Sequence, residues 1–277
     1  MILVTGGTGD LGRAILPALL AGLGDESVCL GTRDPDRARD LLPEDVRYGV
    51  QLQPLNLADS FSLDPVPRAV VHLAALTRGR NAAEMNRVNV QGLASLLHPA
   101  IGHFIHFGTD LAVSSAYGLS KHRSEEVVRA SGVPYTILRP ALVLGPQTPG
   151  WKALQRLGRL PVVPLPRAMV VRPLFCDDLA AIVLALLHHG PRNAAFSLAG
   201  EPVLLAGVVE AMMGRRPHVL SVPTPFRLLD RATRVLRRPP PAVVALGRPR
   251  DAIQPHEIPG LGVPTTPMVE MVRRLSG

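Results

Sequence analysis

The chain opens Met1-Ile-Leu-Val-Thr-Gly-Gly-Thr-Gly-Asp-Leu-Gly12, and the reading of this stretch decides the architecture. An apolar run with strand character passes directly into glycines at 6, 9 and 12, and a helix-length segment from Gly9 to Ala21 follows. Glycines at this spacing allow a tight turn after the strand, let the backbone approach a pyrophosphate, and pack the helix closely on the strand. The helix start adds free N–H groups and the positive end of a dipole. Gly6, Thr8, Gly9, Asp10, Leu11 and Gly12 are therefore expected to cradle the diphosphate of a dinucleotide.

The pattern continues outward from this loop. Short apolar runs at Met1 to Val4, Val28 to Leu30, Gln51 to Leu55, Ala69 to Leu73, Phe104 to Phe107, Tyr135 to Leu138 and Phe196 to Leu198 read as strands. Helix-length segments fall between them at Asp34 to Leu42, Asn81 to Leu97, Ala116 to Ala130 and Asp178 to His188. Such alternation predicts βαβ units and an α/β fold, a doubly wound parallel sheet. After Gly145 proline becomes frequent and the alternation breaks. Residues 1–144 plus 174–200 are thus expected to form the nucleotide-binding domain, and 145–173 plus 201–277 a smaller, C-terminal substrate or cap lobe. No internal repeat is present.

Composition narrows the class. A chain of 277 residues, 47% hydrophobic and 19% charged, can bury a large core, which excludes a disordered chain. Its two cysteines, Cys29 and Cys176, lie in apolar runs and cannot make a disulfide framework or a zinc site, so a reducing cytoplasm is the expected location. The longest unbroken apolar stretch, Leu179 to Leu187, is about half of what a bilayer requires. The start of the chain reads as strand and glycine loop, not as a signal peptide. The formal charge of +8 comes almost wholly from arginine, since Lys121 and Lys152 are the only lysines. The arginines are scattered and no nucleic-acid-binding signature accompanies them, so no nucleic-acid partner is expected.

In NAD-binding versions of the glycine loop an acidic residue about twenty positions on holds the ribose 2′-hydroxyl. Gly31 stands there, followed by Thr32 and Arg33, whose hydroxyl and guanidinium suit a 2′-phosphate. NADP(H) is accordingly expected over NAD(H), with Asp34 as the alternative, ribose-binding reading.

Tyr117 and Lys121 are four apart within a helical segment and so share a face. A phenol is a poor base at neutral pH, but an adjacent ammonium favours its charged form. Such a pair can pass a proton to or from a substrate oxygen while a nicotinamide exchanges hydride. Thr109 ends the fifth strand at the carboxyl edge of the sheet and is placed to bond the same oxygen.

Taken together, Thr5-Gly-Gly-Thr-Gly-Asp-Leu-Gly12 and Tyr117-Gly-Leu-Ser-Lys121 resemble the short-chain dehydrogenase/reductase superfamily, in its extended or atypical branch. His72-Leu-Ala-Ala75, Asn89-Val-Gln-Gly92, Leu138-Arg-Pro140 with Gly145-Pro146, and Phe175-Cys-Asp-Asp-Leu-Ala180 extend the likeness over nearly the whole chain. The resemblance implies a Rossmann-type fold and the Ser/Thr, Tyr and Lys roles for Thr109, Tyr117 and Lys121, with Tyr117 and Lys121 also at the cofactor. It further implies cofactor contacts at Asn56, Leu57, Ala74, Ala75, Pro140 and Val143, and a supporting role for Asn89 beneath the active-site backbone. Two departures stand out. Leu111 replaces the carboxylate that sugar-nucleotide dehydratases use as a base, and Asn56 stands where the family more often has Asp. The segment from Thr109 to Tyr117 is short, as in the branch that includes the accessory Rossmann subunit of respiratory complex I.

The expected function is NAD(P)-linked oxidoreductase or epimerase-like chemistry on a small, apolar carbonyl or hydroxyl compound. Alternatives are a non-catalytic NADPH-binding sensor or assembly subunit, and a nucleotide-sugar epimerase or reductase. Asp177 and Asp178 read as caps of the helix that follows, and His103, His106, His188 and His189 lack the spacing of a metal site. Trp151 reads equally as core or as lining of the substrate lobe. Arg156, Arg159 and Arg172 are that lobe's few candidates for a diphosphate. Arg227, Arg231, Arg234 and Arg238 fall at helical spacing within Phe226 to Arg238, a solvated face or, alternatively, a contact for an anionic membrane surface. The oligomeric state is left open between monomer and homodimer.

Overall fold

The computed structural model describes residues 1–77, 81–110, 115–160, 162–165, 169–213, 218–221 and 252–276. Its first half contains β1 (Ile2–Thr5), α1 (Asp10–Leu23), β2 (Val28–Thr32), α2 (Pro35–Leu41), α3 (Glu44–Gly49), β3 (Gln51–Pro54) and β4 (Ala69–His72). There follow α4 (Ala82–Asn86), a π-helical turn at Arg87–Gln91, α5 (Gly92–Ala94), β5 (His103–Phe107), α6 (Ala116–Ala130) and β6 (Tyr135–Pro140). Next come β7 (Leu142–Leu144), α7 (Pro149–Gly158), β8 (Val162–Leu165), β9 (Val170–Val171), β10 (Pro173–Phe175) and α8 (Cys176–His189). The last described elements are β11 (Ala194–Leu198), β12 (Val203–Leu204), α9 (Leu205–Met213), β13 (His218–Ser221), a 3-10 turn at Pro255–Glu257 and α10 (Met268–Ser276).

Seven strands form one parallel sheet in the order β11-β6-β5-β4-β1-β2-β3. The order runs outward in both directions from β1, so the sheet is doubly wound, with its switch point beside the glycine loop. The strands alternate between two apolar layers. Ile2, Val4 and Ile105 face the layer that holds α1 and α8, while Leu3, Val70 and Phe104 face the layer of Leu93, Leu96 and Val128. Burial on both faces is what makes these strands read as continuous apolar runs.

All seven expected strands and five expected helices are present. Elements that proline and glycine obscured in the sequence are additional: α3, the short pairs β7/β10, β9/β12 and β8/β13, and α7. Thr148 nucleates α7 by capping it, accepting from the Trp151 N–H and the Gly145 N–H, with Pro149 in the first turn. Trp151 itself is core, only 2% exposed. Residues 252–276 fold back on the nucleotide-binding sheet. Ile253 bridges to Leu198 at the outer edge of β11, and Thr266 donates from both its backbone N–H and its hydroxyl to the Asp178 carboxylate.

That last contact corrects the reading of Asp177 and Asp178 as caps. The helix α8 begins at Cys176, so both carboxylates lie within its first turn, and Asp178 is spent on Thr266. Arg172 is likewise committed to structure, donating to the carbonyls of Gly200 and Ala252. Leu111 and the arginine-bearing segment Phe226 to Arg238 lie outside the described residues.

Candidate active site

The loop between β1 and α1 is shaped for an anion. Gly6 has φ +77°, and a Cβ there would come within 2.5 Å of the Ala74 backbone nitrogen. A Cβ on Gly12 would lie 2.5 Å from the Gly6 carbonyl oxygen. Any side chain at either position would fill the cradle or push its walls apart, so the residues present fit a dinucleotide diphosphate lying on the start of α1. Thr8 and Leu11 are partly exposed and Gly9 and Asp10 exposed along this rim, the Ala74 main chain after β4 lies against Gly6, and Ala75 follows it, partly exposed. At the end of β2, Arg33 is exposed beside Thr32, whereas Asp34 accepts from the Arg37 N–H as the cap of α2. Asn56 is folded into its own turn, accepting from Ala58 N–H and donating to Asp59, and Leu57 is buried.

On the β5 side of the switch point a row of polar side chains crosses the sheet. Thr5, His72 and His106 occupy matching positions on β1, β4 and β5. Thr5 Oγ1 lies 2.7 Å from His72 Nδ1, and the two imidazoles stack with centroids 5.4 Å apart. His106 Nε2 lies 3.0 Å from Ser124 Oγ and 3.4 Å from Lys121 Nζ on α6. All are buried, with Lys121 only 3% exposed. Desolvation dominates their charge states. It lowers His72 to about 3 and His106 well below the usual imidazole range, so both are neutral. It pulls Lys121 down to about 7, against the opposing carboxylate of Glu125 one turn on.

The helix α6 starts at a Ser115 cap that accepts from the Gly118 N–H at 2.9 Å and delivers Tyr117 in the first turn. Burial pushes the Tyr117 phenol up from its ordinary value. The spacing alone predicts that Lys121 pulls it down. The structure has the lysine turned into the interior toward His106, where losing solvent costs it much of its own charge, and a neutral amine cannot stabilise a phenolate.

Asn89 sits in the π-helical turn, a local departure from the α-helix common at functional sites. Its amide accepts from Leu76 N–H at 2.7 Å and donates to the Leu76 carbonyl and to Ser120 Oγ, and Ser120 in turn bonds the Tyr117 carbonyl. It thereby ties the loop after β4 to the turn of α6 that carries Tyr117. Thr109 and Asp110 follow the end of β5. Asp110 accepts from Ser197 Oγ at 2.8 Å and faces Arg139 Nη1 at 3.7 Å. Arg139 also clasps Glu125, a carboxylate 1% exposed that Arg129 engages as well. Burial alone would raise Glu125, but the two guanidiniums outweigh it and hold the carboxyl below its usual range. Pro140 and Val143 follow Arg139 on β6 and β7, both partly exposed.

Residues 2–199 match the family described as "NAD dependent epimerase/dehydratase family". The chain belongs to that family.

Members of this family are NAD(P)-dependent enzymes of the short-chain dehydrogenase/reductase type, and the doubly wound sheet with its glycine cradle is their fold. Among curated proteins this member is 28% identical to a ceramide reductase from Caulobacter vibrioides, over 98% of this chain and 89% of that protein. Among solved structures it resembles WbmH from Bordetella bronchiseptica in complex with NAD+, at TM-score 0.68 and 19% identity, covering 98% of this chain and 95% of that one. It also resembles a nucleoside-diphosphate-sugar epimerase from Staphylococcus aureus, at TM-score 0.72 and 16% identity, covering 98% of this chain and 99% of that one.

Against this family background the expected site residues sort by place. Gly6, Gly9, Gly12, Ala74 and Asn89 cluster at the switch point, with Tyr117 and Lys121 on the adjoining α6. Arg33, Asn56 and Leu57 lie toward β2 and β3. Sequence reasoning misses His106 as a neighbour of Lys121 and Glu125 as the anchor of Arg139. A histidine inside a strand and a glutamate inside a helix carry no spacing signal of their own. No helix among the described residues is long and apolar enough to cross a membrane, and no group of three metal-ligating side chains occurs among them.

Proposed function

We propose that this chain is an NADPH-linked reductase acting on a ketone carbonyl of an apolar, long-chain substrate, with Thr109, Tyr117 and Lys121 as its catalytic residues. The observation that supports the reading is Lys121 Nζ 3.4 Å from His106 Nε2 near the carboxyl end of β5, in the row His106, His72 and Thr5 that leads to the glycine loop, with Tyr117 one turn earlier on the same helix. The cofactor, when bound, supplies the hydride to the carbonyl carbon. Tyr117 gives its proton to the carbonyl oxygen, leaving an alcohol, and Thr109 orients that oxygen. Burial keeps the Tyr117 phenol protonated near neutrality, the form that carbonyl reduction requires of a proton donor. Lys121, one helical turn on, holds a proton that exchanges near neutrality beside His106, at the same end of α6 as Tyr117.

The long-chain character is supported by the near full-length likeness to a protein named as a ceramide reductase. Leu111, where dehydratases carry a carboxylate, argues against dehydration. The preference for NADPH rests on Arg33 and Thr32 at the end of β2, with Asp34 withdrawn into its capping bond. We place the enzyme in the cytoplasm, with the described parts of 145–173 and 201–221 on the substrate side and 252–276 joined to the nucleotide-binding sheet.

The test is NADPH oxidation followed against a panel of long-chain keto-lipids in detergent and of UDP-sugars. Turnover of keto-lipids that Tyr117→Phe abolishes is expected. Turnover of UDP-sugars alone would replace this reading with nucleotide-sugar chemistry, and tight NADPH binding without any turnover would favour a sensor.

A further inference from the structure

The second of the two lysines has a place of its own. Lys152 lies in the first turn of α7, whose start is fixed by Thr148 bonded to Gly145 and by Trp151 sunk in the core. Gly145 packs against α1, since a Cβ on it would lie 3.2 Å from the Ala14 Cβ. The small lobe thus presents Lys152 to the start of α1, and its Nζ lies 3.6 Å from Asp10 Oδ1. Arg13 reaches the same oxygen at 3.2 Å. Arg13 Nε is buried and has no hydrogen-bond partner among the described residues.

A carboxylate in the first turn suits the dipole of α1 in the empty protein, but the same N–H groups must receive a diphosphate carrying two negative charges. Asp10 would repel it. Two cations converging on Asp10 cancel that repulsion, and both side chains are long enough to exchange a carboxylate for a phosphate oxygen nearby. We infer that Lys152, delivered from the small lobe, is a ligand of the dinucleotide diphosphate, held in waiting on Asp10 and assisted by Arg13. The inference rests on the NAD(P) reading of the glycine cradle and adds a residue from outside the nucleotide-binding sheet. It also joins the lobe that selects the substrate to the presence of cofactor, because the contact forms only when both are in place.

The test is direct binding of NADPH and NADH, by protein fluorescence and calorimetry, at low and moderate salt. Lys152→Met is expected to weaken both dinucleotides roughly tenfold, the worth of one charge-assisted hydrogen bond, and to leave their affinity ratio unchanged. It should also flatten the salt dependence, whereas Lys152→Arg restores both and Asp10→Asn binds at least as tightly as the parent. Unchanged affinity in Lys152→Met, with the parent binding normally, overturns the role of Lys152 and leaves the cofactor reading standing. Weakening of NADPH alone overturns it too, by assigning Lys152 to the 2′-phosphate. Failure of the parent to bind either dinucleotide overturns the cofactor reading itself. Circular dichroism of each variant confirms the fold.

Discussion

Lys121→Met should inactivate the enzyme and make it more stable. The lysine is 3% exposed, and burial brings it from 10.5 to about 7. The unfolded chain holds this proton up to about pH 10.5, while the folded chain releases it near pH 7. Between these values unfolding takes up a proton, so this group makes stability rise with pH across that window, by at most about 1.4 kcal/mol per unit. Below pH 7 both states are protonated and the full penalty applies, on the order of 5 kcal/mol as an upper bound. Relaxation of the site and the lost contact with His106 reduce what substitution recovers, so a gain of roughly 1–3 kcal/mol at pH 7 is expected. For a chain of this size that raises Tm by about 3–10 °C. Thermal unfolding of the unliganded proteins between about pH 6 and 10 is the assay. Titrating groups away from Lys121 are common to both proteins and cancel in the difference, leaving Lys121 with its coupled neighbours His72, His106 and Glu125. The gap should be widest at pH 7 and below and close toward about pH 10. A methionine variant less stable at pH 7, or a gap that does not change with pH, would refute the claim that Lys121 is held at the expense of stability.

Gly6→Ala should lose dinucleotide binding and about 1–3 kcal/mol of stability, because it adds a methyl at positive φ against the Ala74 backbone; calorimetric titration and chemical denaturation read the two effects. Arg139→Met leaves Glu125 with only Arg129 and takes a guanidinium away from Asp110, so it should cost roughly 2–4 kcal/mol at pH 7. Glu125 is stabilising only above its unfolded-state range, and that contribution is lost as pH falls through its depressed folded value. The Arg139→Met deficit should therefore shrink in acid, as urea unfolding at about pH 7 and about pH 3.5 would register.

The sheet is legible in the sequence because strands buried on both faces, such as β1 and β2, carry unbroken apolar runs, and glycine loops and helix caps punctuate them. The α7 helix is not, since Thr148-Pro149-Gly150 reads as a turn until the Thr148 cap and the burial of Trp151 are seen together. Tyr117 and Lys121 can be found from their spacing on a helix, but spacing shows only which helix face they share. Which strand lies under that face depends on the β4-β5-β6 order, and only that order makes His106 the neighbour of the lysine amine. Asp178 escapes a local reading for a similar reason: its partner, Thr266, is far away along the chain, beyond any short-range pattern.

The return of residues 252–276 to the nucleotide-binding sheet bears on how the protein is made. The edge of β11 and the carboxylate of Asp178 face the growing chain long before Ile253 and Thr266 emerge to cover them. Met271 and Val272, buried on α10, arrive later still. During synthesis the seven strands can pair in turn, but an open sheet edge and a buried acid without its hydrogen bonds persist until residue 266 has left the ribosome. A chain cut short before Ile253 would leave β11 without its bridge at Leu198 and Asp178 without Thr266, so the cost of truncation falls on the sheet edge and not only on the segment removed.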